Sequence, residues 1–181
     1  MNWPSRPTPL TRFIFTVFAI VSITAGAVTA AAATSGPHGG KIHVYLVSSL
    51  SDSGKQPLVI TGAFADAGNF ITGAPDSKVI LGHGSFKAND TQGAAHEGYV
   101  FSHLAKFVDP STCALSFSYT QSVPLSGGTG AYRGITGSLK VTTTDAGVFP
   151  KLADGSCNIS SNATPIGYIS IARGSGRVTF K

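Results

Sequence analysis

The chain has 181 residues, 12% of them charged, with 13 Lys and Arg against 8 Asp and Glu and a formal net charge of +5. The basic residues stand singly, which excludes the basic stripe that a nucleic-acid surface requires, so no nucleic-acid partner is expected. The length suits one domain with its own core.

Residues 1–33 read as a cleavable signal peptide. Arg6 and Arg12 supply a positive start, and Phe13 to Ile23 (FIFTVFAIVSI) is almost wholly apolar. That run is shorter than the about 20 residues a bilayer crossing takes. It passes into TAGAVTAAAAT, whose small residues suit a signal peptidase after Ala27, Ala30 or Ala33. An uncleaved anchor is the alternative, but no charged stop follows the apolar run. Cleavage after Ala33 is favoured. It removes Arg6 and Arg12 and leaves 11 basic against 8 acidic residues. The expectation is a secreted protein with no lasting membrane insertion, a flexible leader at 34–40 and a single domain at 41–181.

Within that domain, short β-branched and aromatic runs alternate with Gly, Asp, Asn and Pro, the pattern of an all-β sandwich or barrel. Lys41–Leu50 is the first expected strand and Leu58–Phe64 the second, ending at an Asp66–Asn69 (DAGN) turn. Lys78–Lys87 reads as one strand, with Gly82 and Gly84 marking a bulge or bend. Residues 88–98 read as a loop, and Tyr99, Phe101, His103 and Phe107 as one face of the next strand. Ala114–Val123 shows the cleanest alternation, with Leu115, Phe117 and Tyr119 opposite Ser116, Ser118 and Thr120. Ile135–Thr142 repeats it. Residues 144–165 read as irregular, and two short strands, Ile166–Ala172 and Arg177–Phe180, finish the chain. Seven or eight strands and no regular helix are expected. Exposed edges invite aggregation, so a single closed antiparallel barrel of about eight strands is favoured, with a sandwich as the alternative.

Cys113 and Cys157 are the only cysteines. In an exported chain an even count points to a disulfide between them. The five histidines show no metal-ligand spacing, and no metal or cofactor is expected. There is no G-x-S-x-G elbow or S-x-x-K pair for a hydrolase. His83 and Ser85 would share a strand face, a nonspecific pairing.

The densest motif is Gly127–Ser138, GGTGAYRGITGS. Gly128, Gly130 and Gly134 imitate a phosphate cradle, but such a loop must open a helix. Here the continuation ITGSLKVTTT alternates at period two. These glycines are therefore expected to make tight turns and close strand approaches, with Tyr132 packed across them. The segment GGTGAYRGITGSLKV resembles the G-T-G-x-[YF]-x-G-x-x-G stretch of the allene oxide cyclase and dirigent-like barrel proteins, chiefly their small exported bacterial members. ITGAFADAG (Ile60–Gly68) and HGSFKAN (His83–Asn89) are similar to that group as well. The resemblance implies an eight-stranded barrel whose lumen holds an apolar small molecule. It also leaves room for self-association, since plant relatives form trimers and some bacterial ones dimers. It carries no catalytic residue onto this chain.

The lumen candidates from the residues themselves are His83, Tyr99, Phe101, His103 and Tyr119, an aromatic pocket with sparse polar handles. His103 is the candidate for proton transfer, because an ordinary imidazole titrates near neutrality. The alternative is that these side chains fill a small barrel. Three functions remain open: binding a small apolar ligand or exported partner, cyclase or isomerase action in the lumen, and a structural role for a filled core.

Overall fold

A computed structural model describes residues 37–50, 54–73, 77–160 and 163–181. All belong to the unit Thr34–Lys181. The expected signal peptide and the first residues of the leader lie outside the described residues. The period-two segments become eight strands: β1 (Gly40–Ser49), β2 (Lys55–Gly62), β3 (Asp66–Ile71), β4 (Ser77–Leu81), β5 (Gly84–Ala88), β6 (Ala114–Gly130), β7 (Thr136–Val148) and β8 (Gly167–Thr179). Each pairs antiparallel with its neighbours in sequence, and β8 pairs back onto β1 from Gly40↔Val178 to Ser49↔Ile169. The barrel is closed, so no edge is left over, and the sandwich is set aside. Among the described residues no helix is long and apolar enough to cross a membrane.

Four readings of the sequence are corrected. Lys78–Lys87 is not one bent strand but a hairpin, β4 and β5, turning at Gly82–His83 with Leu81 opposite Gly84. Asp66–Asn69 is not a turn but the body of β3, paired with Ile60–Pro57 on β2. Its turn-like composition serves other ends. Asp66 accepts hydrogen bonds from the amides of Gly82 and His83 in the next hairpin, and a Cβ on Gly68 would lie 1.9 Å from the Ile80 carbonyl oxygen. The two short C-terminal strands are one, β8, and β7 runs on through Thr144 to Val148. Finally, residues 91–102 form a helix, α1 (Thr91–Ser102), followed by a 3₁₀ turn at Leu104–Lys106. The expected aromatic strand at Tyr99–Phe107 does not exist.

Two cores stabilise the fold. The larger lies inside the barrel, where Ile42 and Leu46 of β1 meet Ile60, Phe86, Leu125 and Val178 from four other strands. One end of the barrel is plugged by Tyr132, which is buried and meets the rings of Phe64 and Phe86 at 5.1 and 5.7 Å. The smaller core sits where β6 and β7 outrun the short strands. There Leu115, Phe117 and Phe149 pack against Val100, Leu104 and Val108. The disulfide Cys113–Cys157, with Cα atoms 5.4 Å apart, ties this core to the 149–166 segment.

At the plugged end, Asp66 Oδ2 accepts from the Tyr132 hydroxyl at 2.5 Å and lies 2.9 Å from His83 Nδ1. Burial works to raise the Asp66 pKa, but the bonds from Tyr132, His83 and the Ala67 amide outweigh it and hold the carboxyl at about 2. A depressed carboxylate adds stability that is present above its unfolded pKa of about 4 and is lost as pH falls through the folded value. Denaturant unfolding between pH 4 and pH 2 should therefore show a stability loss that Asp66→Asn lacks. An unchanged acid slope in the variant would contradict the assignment. Tyr132→Phe should cost about 1.5–3 kcal/mol at neutral pH, the range for a hydrogen bond to a charged group.

Candidate functional site: the barrel cavity

The barrel is not filled. A cavity of about 350 Å³ lies between the plugged end and α1. Its lining follows from the register. On β6 the inward series runs Tyr119, Gln121, Val123, Leu125, and the facing β7 residues are Thr143, Val141, Leu139 and Gly137. The depth is thus apolar, with Leu58, Ile60, Val79 and Phe86 completing it, while the outer part is polar, with Ser48, Gln56, Thr72 and Ser170.

Helix α1 covers the polar part and is pinned there by two bonds. The Gly93 amide donates to Gln121 Oε1 at 2.7 Å, and the Tyr119 hydroxyl donates to Glu97 Oε1 at 2.7 Å. A Cβ at Gly93 would lie 2.3 Å from the Gln121 amide nitrogen, so a side chain there would displace the amide group that accepts the first bond. Opposite, the Tyr168 hydroxyl donates to Asp145 Oδ1 at 2.5 Å. Tyr168 lines the cavity, and Asp145 sits behind it, fully buried on the inward series of β7. Among the described residues Asp145 Oδ2 has no hydrogen-bond partner. His96, also on α1, lays its ring 4.6 Å from that of Tyr119.

These groups act on one another. Burial raises the Glu97 pKa, and the charges of Asp145 and Asp90 add to the effect, against the opposing bond from Tyr119. Burial pushes both phenols well above the ordinary tyrosine value, and the carboxylate each one faces pushes further, Glu97 for Tyr119 and Asp145 for Tyr168. Both tyrosines therefore remain neutral donors throughout the physiological range. Among the described residues no Lys, Arg or His lines the cavity, and no cluster of three or more His, Cys, Asp or Glu could hold a metal ion.

Of the five lumen candidates, Tyr119 lines the cavity. His83 lies in the β4–β5 turn with its side chain 72% exposed, bound to Asp66 at the plugged end. Tyr99, Phe101 and His103 leave the expected inward face because the chain there is helical. Tyr99 stacks on His103 with ring centres 4.3 Å apart, outside the barrel. His103 Nδ1 lies 2.9 Å from the Tyr99 carbonyl oxygen. It is exposed at the end of α1 and takes no part in the cavity. Phe101 reaches the rim, 6.3 Å from the Tyr168 ring, without lining the cavity. Gly128, Gly130 and Gly134 adopt positive φ (118°, 58° and 73°) around the β6–β7 connection, which leads into a strand.

Sequence reasoning missed Glu97, Asp145 and Tyr168. A signal for Glu97 was present: Gly93, Glu97, Val100 and Leu104 fall at the four-three-four spacing of one helix face. Compared with protein-family models, curated proteins and solved structures, the chain matches none.

Proposed function

We propose that the protein is an exported barrel of the allene oxide cyclase and dirigent-like kind that binds one small, largely apolar molecule in its lumen. The observation that carries the reading is the cavity itself. At about 350 Å³ it falls in the range of small-ligand sites, and its apolar depth with a few convergent polar groups is their usual character. Eight strands enclose room for one such molecule. Export is supported by the disulfide, which persists in oxidising compartments.

The test is binding of a neutral fluorophore that brightens in apolar surroundings, N-phenyl-1-naphthylamine, to the protein and to Ala172→Phe. Ala172 lines the cavity on β8, so a phenyl ring there takes up cavity space. Saturable brightening is expected, with affinity falling at least about tenfold in the variant at unchanged circular dichroism, as loss of about 1.4 kcal/mol requires. Equal brightening in both proteins, or none in either, would reject the reading.

A second reading, a cyclase or isomerase, is favoured by Glu97 alone. A carboxyl of raised proton affinity, bonded to a neutral phenol at the cavity mouth, is equipped for proton transfer to a folded substrate. Turnover lost in Glu97→Gln with ligand binding retained would separate it from simple binding.

A further inference from the structure

The mouth of the cavity has an unbalanced charge. Glu97 and Asp90 line it, Asp145 stands immediately behind Tyr168, and the lining contains no Lys, Arg or His among the described residues. Asp90 has a partner, the Ser77 hydroxyl at 2.9 Å, and Glu97 has Tyr119. Asp145 is served on one oxygen only. Its other oxygen is buried without a donor among the described residues, although Asp145 continues the inward series of Val141 and Thr143 and pairs across the sheet with Ser170, itself a lining residue. Buried carboxylate oxygens are nearly always satisfied, because desolvating one without a donor is costly. Two carboxylates and two phenols that sense one another's charge thus share one place, and the phenols donate only one proton each. Apart from the His96 imidazole, which lies against Tyr119 and acts electrostatically on Glu97, no basic side chain among the described residues serves the cluster.

We propose that the lumen ligand is a small apolar amine, its hydrocarbon body in the Leu58–Phe86 depth and its ammonium group at Glu97, within the field of Asp145. The inference rests on the binding function proposed above. An ammonium has three donors and no acceptor, so at the mouth it can donate to Glu97 while the charge of Asp145, buried behind Tyr168, adds to the attraction. Partial burial strengthens the attraction over that in water, and two carboxylates offset the loss of the ion's hydration better than one. The same field repels a carboxylate ligand. An amphiphile of neutral head, such as an alcohol, gains the apolar contacts and no more.

The experiment is displacement of N-phenyl-1-naphthylamine by three ligands of matched length at pH 7: octylamine, 1-octanol and octanoate. Octylamine should bind at least about tenfold more tightly than 1-octanol, as charge-assisted hydrogen bonds imply, and octanoate more weakly than either. Glu97→Gln and Asp145→Asn should each erase most of the amine preference, read as the ratio of octylamine to 1-octanol affinity within the same variant. Glu97 is only partly buried, so Glu97→Gln is the milder change and carries the test even where Asp145→Asn fails to fold. Equal affinity for amine and alcohol overturns this inference alone. Tighter binding of octanoate than octylamine overturns it too, as does an amine preference that survives Glu97→Gln. Failure of the fluorophore and all three ligands to bind overturns the inference and the binding function together.

Discussion

Replacing both Cys113 and Cys157 with serine is expected to destabilise the protein by about 3–4 kcal/mol and to lower its thermal midpoint by roughly 10 °C. The bridge spans 44 residues, a loop whose closure is worth about 4 kcal/mol in the chain-entropy account. The native side adds to this. Cys113 is fully buried, adopts a φ of 59°, and its carbonyl accepts from the Phe149 amide at 2.9 Å. The bridge therefore fixes the point where β6 begins and where the chain leaves β7. Without it, the described residues of the 149–166 segment are held by the packing of Phe149, Ile159 and Ala163 on the smaller core and by a few bonds, such as Lys151 Nζ to the Ser111 carbonyl. Limited proteolysis should cut the serine variant first within that segment, before the barrel strands. Reduction of the wild-type protein should reproduce the shift. Equal midpoints for oxidised and reduced protein would show that the smaller core stands unaided.

The barrel was legible because burial on one face leaves a period-two imprint, and β1, β6 and β7 carry it for ten residues or more. Turn-forming composition signals a turn only from local preference, yet Asp66 and Gly68 lie within a strand. One serves as an acceptor for a neighbouring hairpin, and the other gives space to a crossing carbonyl. Both demands come from the next strand pair and are invisible locally. Helix α1 was concealed differently. Its inward face mixes Gly93 and Glu97 with a single buried aliphatic, Val100, while Tyr99, Phe101 and His103 happen to alternate outside it. The candidate site was the least legible part. Tyr119 stood on the cleanest alternation, whereas its companions Glu97, Asp145 and Tyr168 come from α1, β7 and β8. Only closure of the barrel brings those three elements to one mouth, and no spacing within any one of them records it.

Gly128→Ala should be among the most damaging single-methyl changes in the chain, at about 3–5 kcal/mol, while Gly127→Ala next to it should cost about 1 kcal/mol. Both glycines have positive φ, 118° and 72°. They differ in what surrounds them. A Cβ on Gly127 meets nothing within 4 Å, whereas one on Gly128 would lie 1.9 Å from the Tyr132 carbonyl oxygen and 2.7 Å from its carbon. That carbonyl cannot withdraw freely. It accepts from the Ile135 amide at 3.1 Å, and the Tyr132 amide donates to Thr129 at 3.1 Å. Its hydroxyl is held by Asp66, and its ring closes the barrel end against Phe64 and Phe86. Displacing the backbone there therefore loosens the plug and the β6–β7 turn at once. Urea midpoints of the two variants measure the contrast directly, because the backbone conformations of both penalise a side chain and only one adds the collision. If the two alanines cost the same, the close approach at Gly128 is not what the GGTGAYRG segment provides, and its glycines serve the turn through φ alone.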